Sequence, residues 1–266
     1  MKIYVATFDP ITDQQIEQLK QIHKQTRKDI YLSVKGDGIL TIKERMHLCI
    51  HACKPYRYMH VVNIGKDDTL ISISNENEIK VRLGYYHLAA KGIRKQLLEN
   101  EYYFEQIVHA QCKPQRALHS ISVADTASML ADIHHLNRKL AHRMGMLHDI
   151  TKNMPQQEAQ QLLQHYNPEV LKLDPVIWHS YTAVLWLKMN MGCYDEKILH
   201  AIQHHTVGTG KSVYDRLLYI ADKIEPTRHY DVTKHTALAK KDLKQAAQYV
   251  LDDAKAYILK KEGKHV

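Results

Sequence analysis

Leu140-Ala141-His142-Arg143-Met144-Gly145-Met146-Leu147-His148-Asp149 has helical periodicity, and its apolar side ends on two groups that do not belong there. Leu140, Met144 and Leu147 recur at spacings of four and three, so they share one face, and His148 falls on that same face. Asp149 follows directly. An ionised carboxylate at the buried end of a helix costs several kcal/mol unless a cation or hydrogen-bond donors compensate it.

The same puzzle recurs along the second half of the chain. His119 shares a face with Val123, Ala127 and Leu130. His179 stands one turn before Ala183, His205 goes with Ile198, Ala201 and Ile202, and Asp222 goes with Leu217, Leu218 and Ala221. Taken singly, each is a hydrogen-bonded core residue, and Asp222 has Lys223, Arg216 and Arg228 as candidate ion-pair partners. Taken together, imidazoles and carboxylates pointing inward from separate helices are how a bundle builds a metal site in its core. Six side chains exceed a four-coordinate structural site and suit two octahedral ions with open positions, which points to metal-assisted hydrolysis. Mixed His/Asp ligation suits iron, manganese or zinc alike. Lys152 follows Asp149 by three and His148 by four, so it projects from the same side. It reads either as a phosphate-holding cation or as a solvated lysine favoured by the helix C-terminus.

Outward from this cluster, helical patterns cover residues 117–132, 136–149, 155–166, 178–190, 196–204, 214–225 and 238–261. The first third alternates instead. Strand patterns at 1–6, 29–34 and 58–64 enclose helical patterns at 13–25 and 41–53, the latter opened by a Thr41/Glu44 capping box. Residues 78–103 read as mostly helical. The expected fold is a small α/β domain with a parallel, truncated Rossmann-like sheet at 1–105, then an all-α domain at 106–266.

Bulk properties narrow the classes. The chain has 266 residues, 44% hydrophobic and 25% charged, as globular proteins do. No apolar stretch reaches membrane-span length, and no signal peptide is read at the start. Four cysteines lack the density of a disulfide framework, so a reduced cytoplasm is the expected compartment. The net charge of +8 is dispersed, without the aromatic-interleaved basic motifs of nucleic-acid binding, and fits a polyanionic small substrate. Cys49 and Cys53 share a helix face but have no second ligand pair, so they read as core.

Leu147-His148-Asp149-Ile150-Thr151-Lys152 resembles the signature of the HD-domain metal-dependent phosphohydrolases. Three further matches are Trp178-His179, His205-Thr206 followed by Gly208, and Tyr219-Ile220-Ala221-Asp222-Lys223-Ile224-Glu225-Pro226-Thr227-Arg228. These narrow the resemblance to the YqeK family of symmetrical diadenosine tetraphosphate hydrolases, over about residues 110–262. The resemblance implies an α-helical HD-type domain holding two metal ions, iron foremost with manganese or zinc as alternatives, and cleavage of diadenosine tetraphosphate into two ADP. It implies that His119, His148, Asp149, His179, His205 and Asp222 are ligands, with Asp149 bridging. Asp149 and Lys152 would be catalytic, and Lys152, Thr206, Gly208 and Arg228 would contact substrate. His204 would not be a ligand, and residues 207–211 depart from the family's usual loop.

Thr7-Phe8-Asp9-Pro10-Ile11 and Lys43-Glu44-Arg45-Met46 resemble motifs of the nicotinate-mononucleotide adenylyltransferases. Thr12 and Gln15 stand where that family needs two histidines, and Val5 and Ala6 replace its glycines. The first domain therefore reads as a degenerate nucleotidyltransferase-like domain without transferase activity. The expected partner of the whole chain is a small nucleotide rather than nucleic acid or a membrane, with a homodimer left open. The alternatives are a nucleotidase or phosphodiesterase acting on another nucleotide, or a non-enzymatic nucleotide sensor.

Overall fold

The computed structural model describes residues 1–261. The chain divides into two compact units, residues 1–107 with 188–193, and residues 108–187 with 194–266.

Unit 1 holds a four-stranded parallel sheet. Its strands are β1 (Lys2–Ala6), β2 (Ile30–Val34), β3 (Met59–Val61) and β4 (Thr69–Ser72), in the order β3-β2-β1-β4. The short apolar runs Ile3/Val5 and Ile30/Leu32 are buried, as expected of a sheet covered by crossover helices. Helix α1 (Asp13–Thr26) links β1 to β2, and α2 (Ile42–Cys53) links β2 to β3. Both begin with a capping box, Thr12 with Gln15 and Thr41 with Glu44. Leu19 and Leu48 complete the core. Tyr4 lies between Leu32 and Ile71, so the chain order reverses between β1 and β4.

One expectation needs correction here. The strand expected at 58–64 spans only Met59–Val61, and β4 was not foreseen. The region 78–103 is mostly helical, as expected, in separate pieces: α3 (Glu78–Arg82), two 3₁₀ turns and α4 (Arg94–Glu99), interrupted at Gly84, whose φ of 103° no helix continues.

Helix α5 (Phe104–Gln111) contains the division. Unit 2 is helical: α6 (Pro114–Ile133), α7 (Arg138–Leu147), α8 (Gln156–Tyr166), α9 (Trp178–Trp186), α10 (Glu196–His204), α11 (Val213–Ile224), α12 (Thr233–Lys241) and α13 (Leu243–Lys261). Helices α6, α7, α10 and α11 pack on one another in turn, and α9 packs on α10. Gly145 brings α7 against α6, since a Cβ there would lie 2.6 Å from the amide nitrogen of Ala124. A smaller apolar cluster joins Ala159 and Leu163 of α8 to Val170 and Trp178. The helix expected over 238–261 is in fact two. Asp242 is extended (φ −153°, ψ 111°), and its carboxylate accepts the N–H groups of Lys244 and Gln245, ending α12 and starting α13.

Candidate metal centre

The chain of unit 2 delivers its polar groups to one point from helix interiors and helix ends. His119 lies within α6, and Asp222 lies near the end of α11. His148 and His205 each follow the last residue of a helix, α7 and α10, while His179 is the second residue of α9. Asp149 follows His148 in the turn after α7. All six are buried, none more than 7% exposed.

Each imidazole is locked by the partner of its Nδ1. His148 Nδ1 is 2.7 Å from the Gly145 carbonyl, His205 Nδ1 is 2.6 Å from that of Ile202, and His179 Nδ1 is 2.9 Å from that of Val176. His119 Nδ1 is 3.0 Å from the Glu225 carboxylate. Carbonyl and carboxylate oxygens only accept, so each Nδ1 carries the proton. In the neutral ring each Nε2 then offers a lone pair.

Those lone pairs face acids. His119 Nε2 is 3.0 Å from Asp222 Oδ1, and His148 Nε2 is 3.4 Å from Asp149 Oδ2 and 3.8 Å from Asp222 Oδ1. His179 Nε2 and His205 Nε2 lie 3.2 and 3.5 Å from Asp149 Oδ1, and 3.3 Å from each other. An acceptor facing an acceptor is repulsive unless something positive sits between them. His119 Nε2, His148 Nε2 and Asp149 Oδ1 have no hydrogen-bond partner although buried. Metal–nitrogen bonds of about 2.0–2.1 Å put neighbouring ligand atoms about 3.0–3.4 Å apart. Most of the observed spacings fall in that range, and the donor set therefore fits divalent metal. Two overlapping groups, His119/His148/Asp222 and His148/Asp149/His205, are each compact enough to hold an ion. The two oxygens of Asp149 face different imidazoles, as a bridging carboxylate requires.

Electrostatics agree with this reading. Burial alone would raise the Asp149 carboxyl, but the surrounding imidazoles, His148 foremost with His179 and His205, hold it well below the usual carboxylate range. Burial opposes ionisation of Asp222 too, and the Lys223 cation and His119 outweigh it. Burial pushes His179 down to about 4 and lowers His205, keeping both neutral, the form that ligates.

Of the expected substrate contacts, three adjoin the cluster. Lys152 Nζ lies 3.2 Å from His179 Nε2, and burial lowers its pKa against the pull of Asp149. Thr206 Oγ1 is 3.1 Å from His179 Nε2. Arg228 Nη2 is 2.6 Å from Asp222 Oδ1. Gly208 packs against the Tyr219 ring and lines a second cavity with Arg216 and Gln245. His204 turns aside to Thr209.

Two residues escaped the sequence reading. Arg116, one turn before His119, donates to Asp149 Oδ2 at 2.8 Å, and Glu225, three residues after Asp222, orients His119. Their spacing along α6 and α11 was the available signal. A cavity of about 420 Å³ opens beside His119, lined by Lys113, Arg116, Asn153, Arg228 and His229.

Residues 116–227 match the HD domain family, a span that holds all six clustered residues. The chain is 31% identical over 158 residues to the symmetrical bis(5'-nucleosyl)-tetraphosphatase of Bacillus subtilis, covering 58% of this chain and 85% of that protein. The chain belongs to the HD-domain symmetrical bis(5'-nucleosyl)-tetraphosphatase family. A family relative in Mycoplasma pneumoniae, named a probable nicotinate-nucleotide adenylyltransferase/Ap4A hydrolase, is 32% identical over 161 residues; this chain spans 46% of its length. Among solved structures, a predicted HD superfamily hydrolase involved in NAD metabolism from Clostridium acetobutylicum aligns with TM-score 0.56 and 26% identity, over 61% of this chain and 88% of that one. The tetraphosphatase-family match agrees with the expected fold, an HD-type helical domain in the second part of the chain.

Proposed function

We propose that the chain hydrolyses dinucleoside tetraphosphates symmetrically into two nucleoside diphosphates, using a dinuclear metal centre in a domain spanning 106–266. The observation that carries this reading is the meeting of four imidazole Nε2 atoms with two buried carboxylates. His119, His148, Asp149, His179, His205 and Asp222 would hold two ions, Asp149 shared between them. Mixed His/Asp ligation suits iron, manganese or zinc alike, and iron is the metal that the family resemblance implies. Such a centre supplies an acidified water and Lewis-acid neutralisation of phosphoryl charge.

The surrounding residues do the positioning. Lys152, low in solvent contact, offers a point charge to a phosphate oxygen, and the Arg228 guanidinium offers a planar fork. Thr206 adds a hydroxyl at the same mouth. The cationic cavity beside His119 has room for phosphates flanking the scissile bridge. Water adds across the central P–O–P bond: one diphosphate gains the hydroxyl, the other departs with the bridging oxygen, and one proton is released. The leaving diphosphate is a weak base, so little acid assistance is needed. A reducing cytoplasm accords with the four buried cysteines.

Elemental analysis of the purified protein, combined with product identification from diadenosine tetraphosphate, tests the reading. Two ADP per substrate and about two metals per chain are expected. ATP plus AMP would contradict central cleavage. Asp149→Ala should lose both metal and turnover, and near-normal activity in that variant would refute the assignment.

A further inference from the structure

In open parallel sheets, ligands sit beyond the carboxyl ends of the strands where the chain order reverses, and phosphates there are held by backbone N–H groups. In unit 1 that place lies between β1 and β4, over the turn that follows β1. It is already filled. Glu78, 1% exposed, directs its carboxylate into the turn. Oε1 accepts the N–H of Phe8 at 2.9 Å and the amide of Gln15 at 2.7 Å, while Oε2 accepts the N–H of Asp9 at 3.1 Å and the Thr7 hydroxyl. The left-handed φ of Phe8, 46°, turns two successive N–H groups toward one anion. The Arg45 guanidinium backs the turn through the Thr7 carbonyl at 2.9 Å, and Arg82 pairs with Asp9 at 3.2 Å.

We propose that the turn Thr7–Asp9 is an oxyanion site of phosphate type that Glu78 keeps occupied from within. The carboxylate takes the donors that a phosphate oxygen of a nucleotide would use, and Gln15 serves the carboxylate. Unit 1 therefore binds no nucleotide at this turn in the native chain, and removing the internal anion opens a site for an external one. Four donors converging on one buried carboxylate exceed what a helix cap or a surface ion pair requires.

The test is anion rescue in the full-length protein. Glu78→Ala leaves two backbone N–H groups unpaired and should lower the melting temperature by roughly 5–10 °C. Inorganic phosphate at about 100 mM should then restore roughly 3–5 °C, relative to sodium chloride of equal ionic strength. The wild type and Leu19→Ala, a core variant of comparable instability, should not gain this increment; both retain the metal centre, so phosphate bound there cancels. Hydrogen exchange gives the local readout. The Phe8 and Asp9 amides should lose protection in Glu78→Ala and regain it with phosphate. Glu78→Gln, which fills the space without charge, should be destabilised yet not rescued.

Equal phosphate responses in Glu78→Ala and Leu19→Ala would overturn the proposal. So would failure of Glu78→Ala to fold in phosphate, since a replaceable occupant must be replaceable. ATP protection of the turn in the wild type would overturn it as well.

Discussion

The carboxylate of Glu225 accepts the Nδ1 proton of His119 at 3.0 Å, and that single bond decides which ring nitrogen faces Asp222. Glu225 is fully buried and its carboxyl is held below the usual range: burial opposes ionisation, and hydrogen bonds from Thr227 and His119 overcome it. Replacing it by glutamine keeps the shape but removes the charge that raises imidazole basicity. Glu225→Gln should weaken metal binding by roughly 10–100-fold while leaving the fold intact. Chelator competition followed by elemental analysis measures this, and an unchanged affinity would remove Glu225 from the centre's support. The sequence marked the six clustered residues because each is polar on an apolar face. Glu225 carried no such mark, since nothing in its local pattern says that α6 passes within hydrogen-bond reach.

Whole helices set the next level of precision. The contact of α6 with α7 depends on Gly145, where a side chain would meet backbone rather than a yielding side chain. Gly145 also lends its carbonyl to His148 Nδ1. Gly145→Ala should cost about 1–3 kcal/mol of stability by overpacking, and should loosen metal retention in the same variant. Urea titration beside elemental analysis checks both; a stable variant with full metal content would show that the helices can part without harm.

The start of α11 is fixed by Ser212 and Asp215, with His200 of α10 adding a bond at 2.9 Å. Burial would raise the Asp215 carboxyl, but His200 and Ser212 hold it below its ordinary 3.8. A folded value below the unfolded one means that its stabilisation is complete above that ordinary value and is lost as pH falls below it. Asp215→Asn should therefore cost about 0.5–2 kcal/mol at pH 6, with the gap to wild type narrowing towards pH 3. A gap that widens on acidification would contradict this. At the same scale, the Thr41/Glu44 box and the burial of α1 and α2 were legible from local pattern. The break at Asp242 was not, because an aspartate inside a helical pattern becomes a cap only when its carboxylate turns to the following N–H groups. Strand β4 was hidden for a related reason: Thr69-Leu70-Ile71-Ser72 is too short to signal, and it is defined by pairing with β1.

At the scale of the molecule, the net charge of +8 is a long-range attraction for a polyanion. Raising ionic strength from about 20 to about 300 mM should lower kcat/KM for diadenosine tetraphosphate several-fold through KM, with kcat nearly unchanged. Steady-state kinetics across a chloride series would reveal it, and a salt-insensitive KM would mean that contact, not field, gathers the substrate. Among the described residues, no helix is long and apolar enough to cross a membrane. What the sequence determined by itself was the division of character along the chain, strands with crossovers first and helices afterwards, together with the inward acids and imidazoles. Hydrophobic period and the cost of burying a charge are properties of a segment and its neighbours in sequence, so they can be read without coordinates. Only the tertiary structure decided which nitrogen of each histidine faces the acids, that Arg116 and Glu225 attend the cluster, and that Glu78 fills the turn after β1. Those facts depend on distances between residues tens of positions apart, and packing, not local preference, sets such distances.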